Sequence, residues 1–287
     1  MEENQISTRT QLKGVDCTGT GFDESSTFLH DTSVPYFSSS SAMRIQILGS
    51  GAYPLRFSKG RSFCMFFPEH NVVLDGGLGL LAFPETATGE TLTIVMSHYH
   101  HDHIIGLASL NAIIERKQFK HITIVGDERI EKLGVFFREP FNPDYPGVTL
   151  PITLSAIGTE TTIGTLQVKR QQVGHASGAS NLYRFTDATA SVGVSTDTTA
   201  DVANANFFQD CDLLLHECNY DNAHEQRARA EGHSYPEVIA ALAHAAHVKK
   251  LGLIHTDPRY PAVQSEMQKA YPGAWVTQDD DILNLVY

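Results

Sequence analysis

Several things are scarce in this chain, and each scarcity narrows what it can be. The four cysteines (Cys17, Cys64, Cys211, Cys218) show no C-x-x-C spacing, and the N-terminus pairs no basic stretch with an apolar one as a secretory signal does. The expectation is a cytoplasmic protein with reduced thiols. A run of about 18 apolar residues is also missing, which excludes a membrane-spanning helix. Cationic residues are few: 21 Lys and Arg against 33 Asp and Glu, a formal charge of -12. That balance argues against a broad basic surface for a long polyanion and favours small substrates. No internal repeat of short period exists. What is present is bulk: 287 residues, 41% of them hydrophobic, enough to bury the core of one sizeable α/β domain.

Residues 1–42 stand apart. They are rich in Ser and Thr, end in "FSSSSAM", and follow neither a period of 2 nor one of 3.6. They read as an extension, either disordered or packed across a partner subunit, ahead of a folded domain over residues 43–287. From Met43 the signals sharpen. "MRIQILGSG" is a strand entering a glycine turn, and "CMFFPEHNVVLDGG" is two strands joined by Pro-Glu-His-Asn. "TLTIVMS" is a buried strand, and "IIGLASLNAIIERK" has the apolar spacing of an amphipathic helix. Then come a strand ("HITIVG"), a helical "DERIEKLGVFF", and several strands between Thr149 and Ser195. The last third alternates strand ("CDLLLHE"), helix ("YPEVIAALAHAAHV"), strand ("KKLGLIH") and helix ("AVQSEMQKAY"), and "AWVTQDDDILNLVY" closes it as a strand pair.

Between a strand and a helix lies "SHYHHDHIIGL", with four histidines and an aspartate within six positions. His98, His100, Asp102 and His103 on one tight turn cannot all reach a single small ion with good geometry, but they can divide between two. Imidazole and carboxylate suit zinc, manganese or iron, and two ions about 3.5–4 Å apart clamp both the attacking and the leaving oxygen of a displacement. The bland alternative, a solvated polar turn, does not explain the strand before it and the helix after. A two-metal site needs further ligands at later strand ends. His175, Asp197 and His255 occupy such positions.

The H-x-H-x-D-H pattern at 98–103, followed by His175, Asp197 and His255, resembles the metallo-β-lactamase fold over roughly residues 43–287. The resemblance implies an αββα sandwich with metals at one edge. It would place His98, His100 and His175 on one metal and Asp102, His103 and His255 on the other, with Asp197 bridging. The C-terminal third is similar to the tRNase Z group of phosphodiesterases, which carries a His-Glu pair after a strand and then Gly-His-Ser before a helix; here these are His216-Glu217 and Gly232-His233-Ser234. By that resemblance Glu217 orients His233, and His233 contacts a phosphate oxygen or protonates the leaving oxygen. Two metals so held would supply hydroxide as the nucleophile, and Asp102 would share base duty with its metal role. A structural account also exists for "HSYPEV": Ser234 as N-cap with Glu237 in a capping box and Pro236 in the first turn.

Departures from the tRNase Z pattern matter as well. That group has a long substrate-gripping arm where only 21 residues separate His175 from Asp197 here. "DGGLGLL" replaces the usual Gly-Glu-Gly-Thr, and "SGAYPLRFSKGRS" the Pro-Thr turn. The reading is therefore a compact hydrolase of a small phosphodiester, a cyclic nucleotide opened to a nucleoside monophosphate, resembling armless relatives of tRNase Z. The cofactors are two divalent ions, zinc first and manganese or iron as alternatives. Endonuclease action on RNA 3′ ends is the runner-up, and lactone or thioester hydrolysis or a non-catalytic nucleotide-binding metalloprotein stand behind it. The resemblance also implies a homodimer. Asp75 reads as a carboxylate supporting the metal-binding side chains, Arg259 as either a phosphate contact or a surface residue, and Cys218 as a small core residue.

Overall fold

In the computed structural model, which describes residues 42–52, 60–84, 87–117, 119–138, 151–176 and 178–286, apolar strands dominate both halves of the folded part. The extension expected over residues 1–42 lies outside the described residues except for Ala42. The strands in chain order are β1 (Ala42–Gly49), β2 (Cys64–Phe67), β3 (Val72–Leu74), β4 (Thr91–Val95), β5 (His121–Gly126), β6 (Ile152–Ala156), β7 (Glu160–Ile163), β8 (Leu166–His175), β9 (Gly178–Thr186), β10 (Ser191–Ser195), β11 (Leu213–Glu217), β12 (Leu251–Ile254), β13 (Trp275–Val276) and β14 (Ile282–Val286). Among the described residues they form two seven-stranded sheets, ordered β14-β1-β2-β3-β4-β5-β6 and β13-β12-β11-β10-β9-β8-β7. Each sheet is antiparallel at one side and parallel at the other: β3 to β6 run parallel in the first, β10 to β13 in the second.

Parallel strands buried on both faces must be apolar nearly throughout, and "LLLHE" of β11 shows how the layers stack. Leu213 and Leu215 point between the sheets, against Ile45, Phe67 and Val95 of the first. Leu214 points the other way, under helices α4 (Pro236–Ala245) and α5 (Val263–Ala270). On the far side, Phe66, Val73 and Ile94 pack beneath α1 (His101–Ile104) and α2 (Leu110–Lys117) through Ile104, Leu110 and Ile113. Each such side chain contributes about 1.5–3 kcal/mol of burial. The result is helices, sheet, sheet, helices: the expected αββα sandwich.

Three local expectations differ from the structure. The amphipathic pattern after the histidine cluster predicts one helix, yet residues 105–109 form a 3-10 segment between α1 and α2. Gly106 N–H donates to Gly76 O and His103 O accepts from Gly76 N–H, both at 2.8 Å, so bonds that an α-helix would use internally go to the Gly76-Gly77 loop. Only glycine allows this approach, because a Cβ on residue 106 would lie 2.1 Å from Gly77 O. "DERIEKLGVFF" is likewise a 3-10 helix, Glu128–Phe137, capped by Asp127. The closing strand pair is not a hairpin. β13 joins the second sheet beside β12 and β14 crosses to the first beside β1, since Trp275 and Leu283 each complete a different edge of the inter-sheet core.

Candidate metal centre

The parallel strands of both sheets end at the same edge, where side chains leaving the carboxyl ends of strands meet loops. Asp75 follows β3, His98 follows β4, Asp127 follows β5, Asp197 follows β10, Glu217 ends β11 and His255 follows β12. His175 is the last residue of β8. Asp75, Asp197 and His255 sit in left-handed backbone, with φ of 61°, 37° and 50°, a conformation that non-glycine residues adopt at a cost. That backbone ends each strand abruptly.

The seven residues singled out as ligands lie together. His98, His100, His175 and Asp197 form one donor group and Asp102, His103, His255 and Asp197 a second, with the donor atoms of each group within 4.8 Å of one another. Asp197 belongs to both. Its Oδ2 stands 3.7 Å from the Nε2 atoms of His98 and His175, and its Oδ1 lies 3.1 Å from His103 Nε2 and 3.2 Å from His255 Nε2. Asp102 Oδ2 completes the second group, 3.2 Å from His255 Nε2 and 3.7 Å from His103 Nε2.

Outer contacts aim the rings. Asp75 is fully buried; its Oδ2 accepts from His103 Nδ1 at 2.8 Å and from Ser97 Oγ at 2.6 Å, while its Oδ1 accepts from Ser97 N–H. Ser97 Oγ in turn accepts from His98 Nδ1 at 3.1 Å. His175 Nδ1 donates to Gly232 O at 2.9 Å. In all three rings the proton is thereby placed on Nδ1, leaving the Nε2 lone pair facing the cluster. Gly232 has φ of 72° as the left-handed cap of α3 (Glu225–Glu231), and a Cβ there would meet Ala176 N at 2.4 Å. The glycine of Gly-His-Ser thus lets its carbonyl reach His175.

Two buried carboxylates and five imidazoles crowd here, and among the described residues His98 Nε2, His103 Nε2 and Asp197 Oδ1 are buried without a hydrogen-bond partner. Orphaned buried donors and acceptors are costly; here they converge on shared centres, and the donor set suits divalent cations. The electrostatics agree. Burial, then His103, holds His98 well below the usual imidazole range, and burial, then His175, lowers His100. Burial would lower His103 too, but Asp197, Asp102 and Asp75 outweigh it and hold it well above. Burial would raise Asp102 and Asp197; the facing histidines, His103 foremost for Asp102 and His255 for Asp197, keep both ionised. The carboxylates favour a positive charge at the cluster.

Beside the cluster, Glu217 is fully buried and accepts four hydrogen bonds: Oε1 from His233 Nδ1 at 3.0 Å and from the N–H groups of Thr198 and Ser234 at 3.1 Å, Oε2 from Asn219 N–H at 3.0 Å. Burial works against a protonated His233, yet Glu217 outweighs it and raises the imidazole to about 9. Its ring stacks 5.8 Å from His255 and lies edge-on to His175 at 5.1 Å. A cavity of about 660 Å³ opens over these groups, with Ala52, Asn219, Glu231, Asp257 and Arg259 on its wall.

Other readings resolve differently. Ser234 does not cap α4: the cap is Tyr235, without a side-chain bond, and Pro236 opens the helix. Ser234 Oγ instead donates to Thr198 O at 2.7 Å and accepts from Ala200 N–H at 2.8 Å, bracing the loop after Asp197. Arg259 lies on the cavity wall held by Asp257. Cys218 is buried in the core. Sequence reasoning missed Asn181, Asp127 and Arg129. Asn181 Nδ2 donates to Ser97 O at 2.7 Å and to Asp127 Oδ2 at 3.0 Å, its Oδ1 accepts from Arg170 at 2.7 Å, and Arg129 joins Asp127 to Ala179 O. This latch ties β9 of one sheet to the ends of β4 and β5 of the other; its one sequence trace is an asparagine inside an apolar strand.

The sequence profile of the beta-lactamase superfamily domain matches residues 70–256. The ribonuclease Z of Oceanobacillus iheyensis is 25% identical over 183 residues, 60% of this chain and 56% of that protein. The chain spans about half or less of the length of the first curated relatives it matches. Among solved structures, the metallo-beta-lactamase fold protein YhfI of Bacillus subtilis aligns with a TM-score of 0.70 at 18% identity, covering 84% of this chain and 99% of that one. The short form of human tRNase Z gives 0.64 at 19% identity, covering 85% and 100%. Both likenesses are of fold.

Proposed function

Because the chain belongs to the beta-lactamase superfamily, a fold whose strand edge here carries two groups of metal donors, we propose that it is a metal-dependent phosphodiesterase whose substrate is a small phosphodiester, a cyclic nucleotide opened to a nucleoside monophosphate. The carrying observation is the Glu217–His233 pair, its members 3.0 Å apart and placed beside the donor cluster. A thioester releases a thiolate that leaves without a proton, whereas the alkoxide expelled from a phosphodiester needs one, and a buried glutamate that keeps a histidine protonated supplies it.

His98, His100, His175 and Asp197 would hold one divalent ion and Asp102, His103, His255 and Asp197 the other, with zinc, manganese or iron all compatible with the donors. When bound, such a pair supplies a water acidic enough to act as nucleophile at neutral pH and positive charge for the phosphoryl oxygens. Asp102 lines the cavity and can accept a proton from the attacking water. His233, its Nδ1–H held by Glu217, turns Nε2 to the substrate and gives its proton to the leaving oxygen. A small substrate is supported by the cavity of about 660 Å³ and by the course of the chain between His175 and Asp197, where β9 and β10 run as a hairpin.

The similarity to ribonuclease Z favours a second reading, cleavage of RNA near its 3′ end. One experiment separates the two. The metal-loaded enzyme and the variants Asp102→Ala and His233→Ala are assayed with bis(p-nitrophenyl) phosphate, a cyclic nucleotide panel and a tRNA precursor. Cyclic nucleotide turnover that collapses in both variants supports the proposal; cleavage of the precursor alone supports the second reading. Wild-type activity in Asp102→Ala would end both.

A further inference from the structure

We infer that Tyr99 is a positioning residue for one of the two metals: its ring, clamped by Gly126 and Arg129, sets the aim of His100 and with it the affinity for the ion that His98, His100, His175 and Asp197 would share. This rests on the metal-binding reading above and adds to it a side chain that is no ligand yet tunes one donor group and not the other.

His100 is the least supported of the seven donors. It is exposed, while His98, His175 and Asp197 of its group are buried. The outer nitrogens of His98, His103 and His175 are held by Ser97 Oγ, Asp75 and Gly232 O. The imidazole of His100 has no such contact among the described residues. Its Nδ1 lies 3.2 Å from His175 Nε2, and its ring meets the rings of His98 and His175, all inside the cluster. His255 also lacks an outer hydrogen bond, but it is buried and stacked against His103 and His233. With neither burial nor an outer bond to orient it, His100 takes its aim from the main chain that carries it.

That main chain is fixed from both sides. The His100 carbonyl accepts from His103 N–H at 3.0 Å as α1 begins. Before His100 stands Tyr99. Its Oη donates to Asp127 O at 3.4 Å, the Arg129 guanidinium covers its ring with the central carbon 5.3 Å from the centroid, and its far end rests on Gly126, where a Cβ would come within 2.4 Å of Oη. Arg129 is itself anchored, by Asp127 Oδ1 at 3.0 Å and by Ala179 O at 3.0 Å, so the cation keeps its place over the ring. A guanidinium on an aromatic face and a bare glycine at its tip make a socket for a ring, and the residue seated there adjoins His100 in the chain. His98, on the other side of Tyr99, has its own burial and Ser97 to hold it, so loss of the socket falls on His100.

The test measures the affinity of each of two zinc ions by stepwise competition with a chromophoric chelator, together with the melting temperature of each metal-free variant. Tyr99→Leu should weaken one ion by about 10- to 100-fold and leave the other within about twofold of wild type. Tyr99→Phe, which keeps the ring against Arg129, should hold both within about twofold. Gly126→Ala drives a Cβ into Oη while leaving Cζ at 3.4 Å, an ordinary contact; it should show the same selective loss, and Tyr99→Phe in the same chain should restore the affinity. That pair decides the matter if Tyr99→Leu does not fold. In a His100→Ala chain, Tyr99→Leu should change nothing further. Equal weakening of both ions, no weakening by Tyr99→Leu or Gly126→Ala, no rescue by Tyr99→Phe, or an added effect in His100→Ala overturns the inference while two ions still bind. A wild type that binds no pair of divalent ions overturns the metal-binding reading, and this inference falls with it.

Discussion

Asn181→Leu is a demanding perturbation because it changes little in volume while cutting the latch between the two sheets. Asn181 is 1% exposed and makes three hydrogen bonds, to Ser97 O, Asp127 Oδ2 and Arg170 Nη1. Two of the partners keep other contacts: Arg129 still holds Asp127, and Arg170 still reaches Ile157 O at 3.2 Å. Their losses are partial, about 1 kcal/mol each. Ser97 O loses a close donor, which adds about 1–2 kcal/mol. The sum, about 3–4 kcal/mol, lowers the melting temperature of a domain this size by roughly 6–16 °C. Calorimetry of the metal-free protein measures it. Because Ser97 immediately precedes His98, metal affinity should also fall by about 10- to 100-fold, read by competition with a chromophoric chelator. A melting temperature within about 2 °C of wild type, with unchanged metal affinity, would show that the latch neither joins the sheets nor sets the site.

Three further outcomes are expected. Asp197→Asn removes the carboxylate shared by both donor groups, so bound metal per chain should fall by about half or more under competition with a chelator, as elemental analysis reports. For Glu217→Gln the sign follows from protonation: His233, raised to about 9 by Glu217, acts as an acid only while protonated, so activity is present below its pKa and lost as pH rises through it. Bound cations push that limb below 9, and removing the carboxylate moves it lower again; a kcat–pH profile identical to wild type would refute the role. Gly106→Ala puts a Cβ 2.1 Å from Gly77 O and should destabilise by about 2–4 kcal/mol, seen as a lower denaturation midpoint in urea.

The ligand-bearing turn was legible because its signal is local: His98, His100, Asp102 and His103 stand within six positions, and a buried strand precedes them. His175, Asp197 and His255 were legible as polar residues at strand ends. The two-layer fold followed from runs such as "LLLHE" that only a sheet covered on both faces can accommodate. What stayed hidden depends on partners distant in sequence. Nothing around residues 104–107 announces that Gly76 will draw their hydrogen bonds away and interrupt the helix. Ser234 matches a capping box by spacing, yet Thr198 and Ala200 take its hydroxyl. Asn181 looks like an ordinary asparagine until its burial is seen. Trp275 and Ile282 are neighbours in sequence but belong to different sheets, because the edge strand that β1 lacked was available only from the chain's end.

The left-handed turns at Asp197 and His255 have an evolutionary consequence. Glycine would relax either turn by roughly 1 kcal/mol, but glycine has no side chain with which to hold a cation. Variants selected for heat resistance alone can therefore drift toward Asp197→Gly or His255→Gly, gaining robustness while discarding chemistry. A directed-evolution campaign on this scaffold needs an activity screen at every round, or its hardiest winners will be inert.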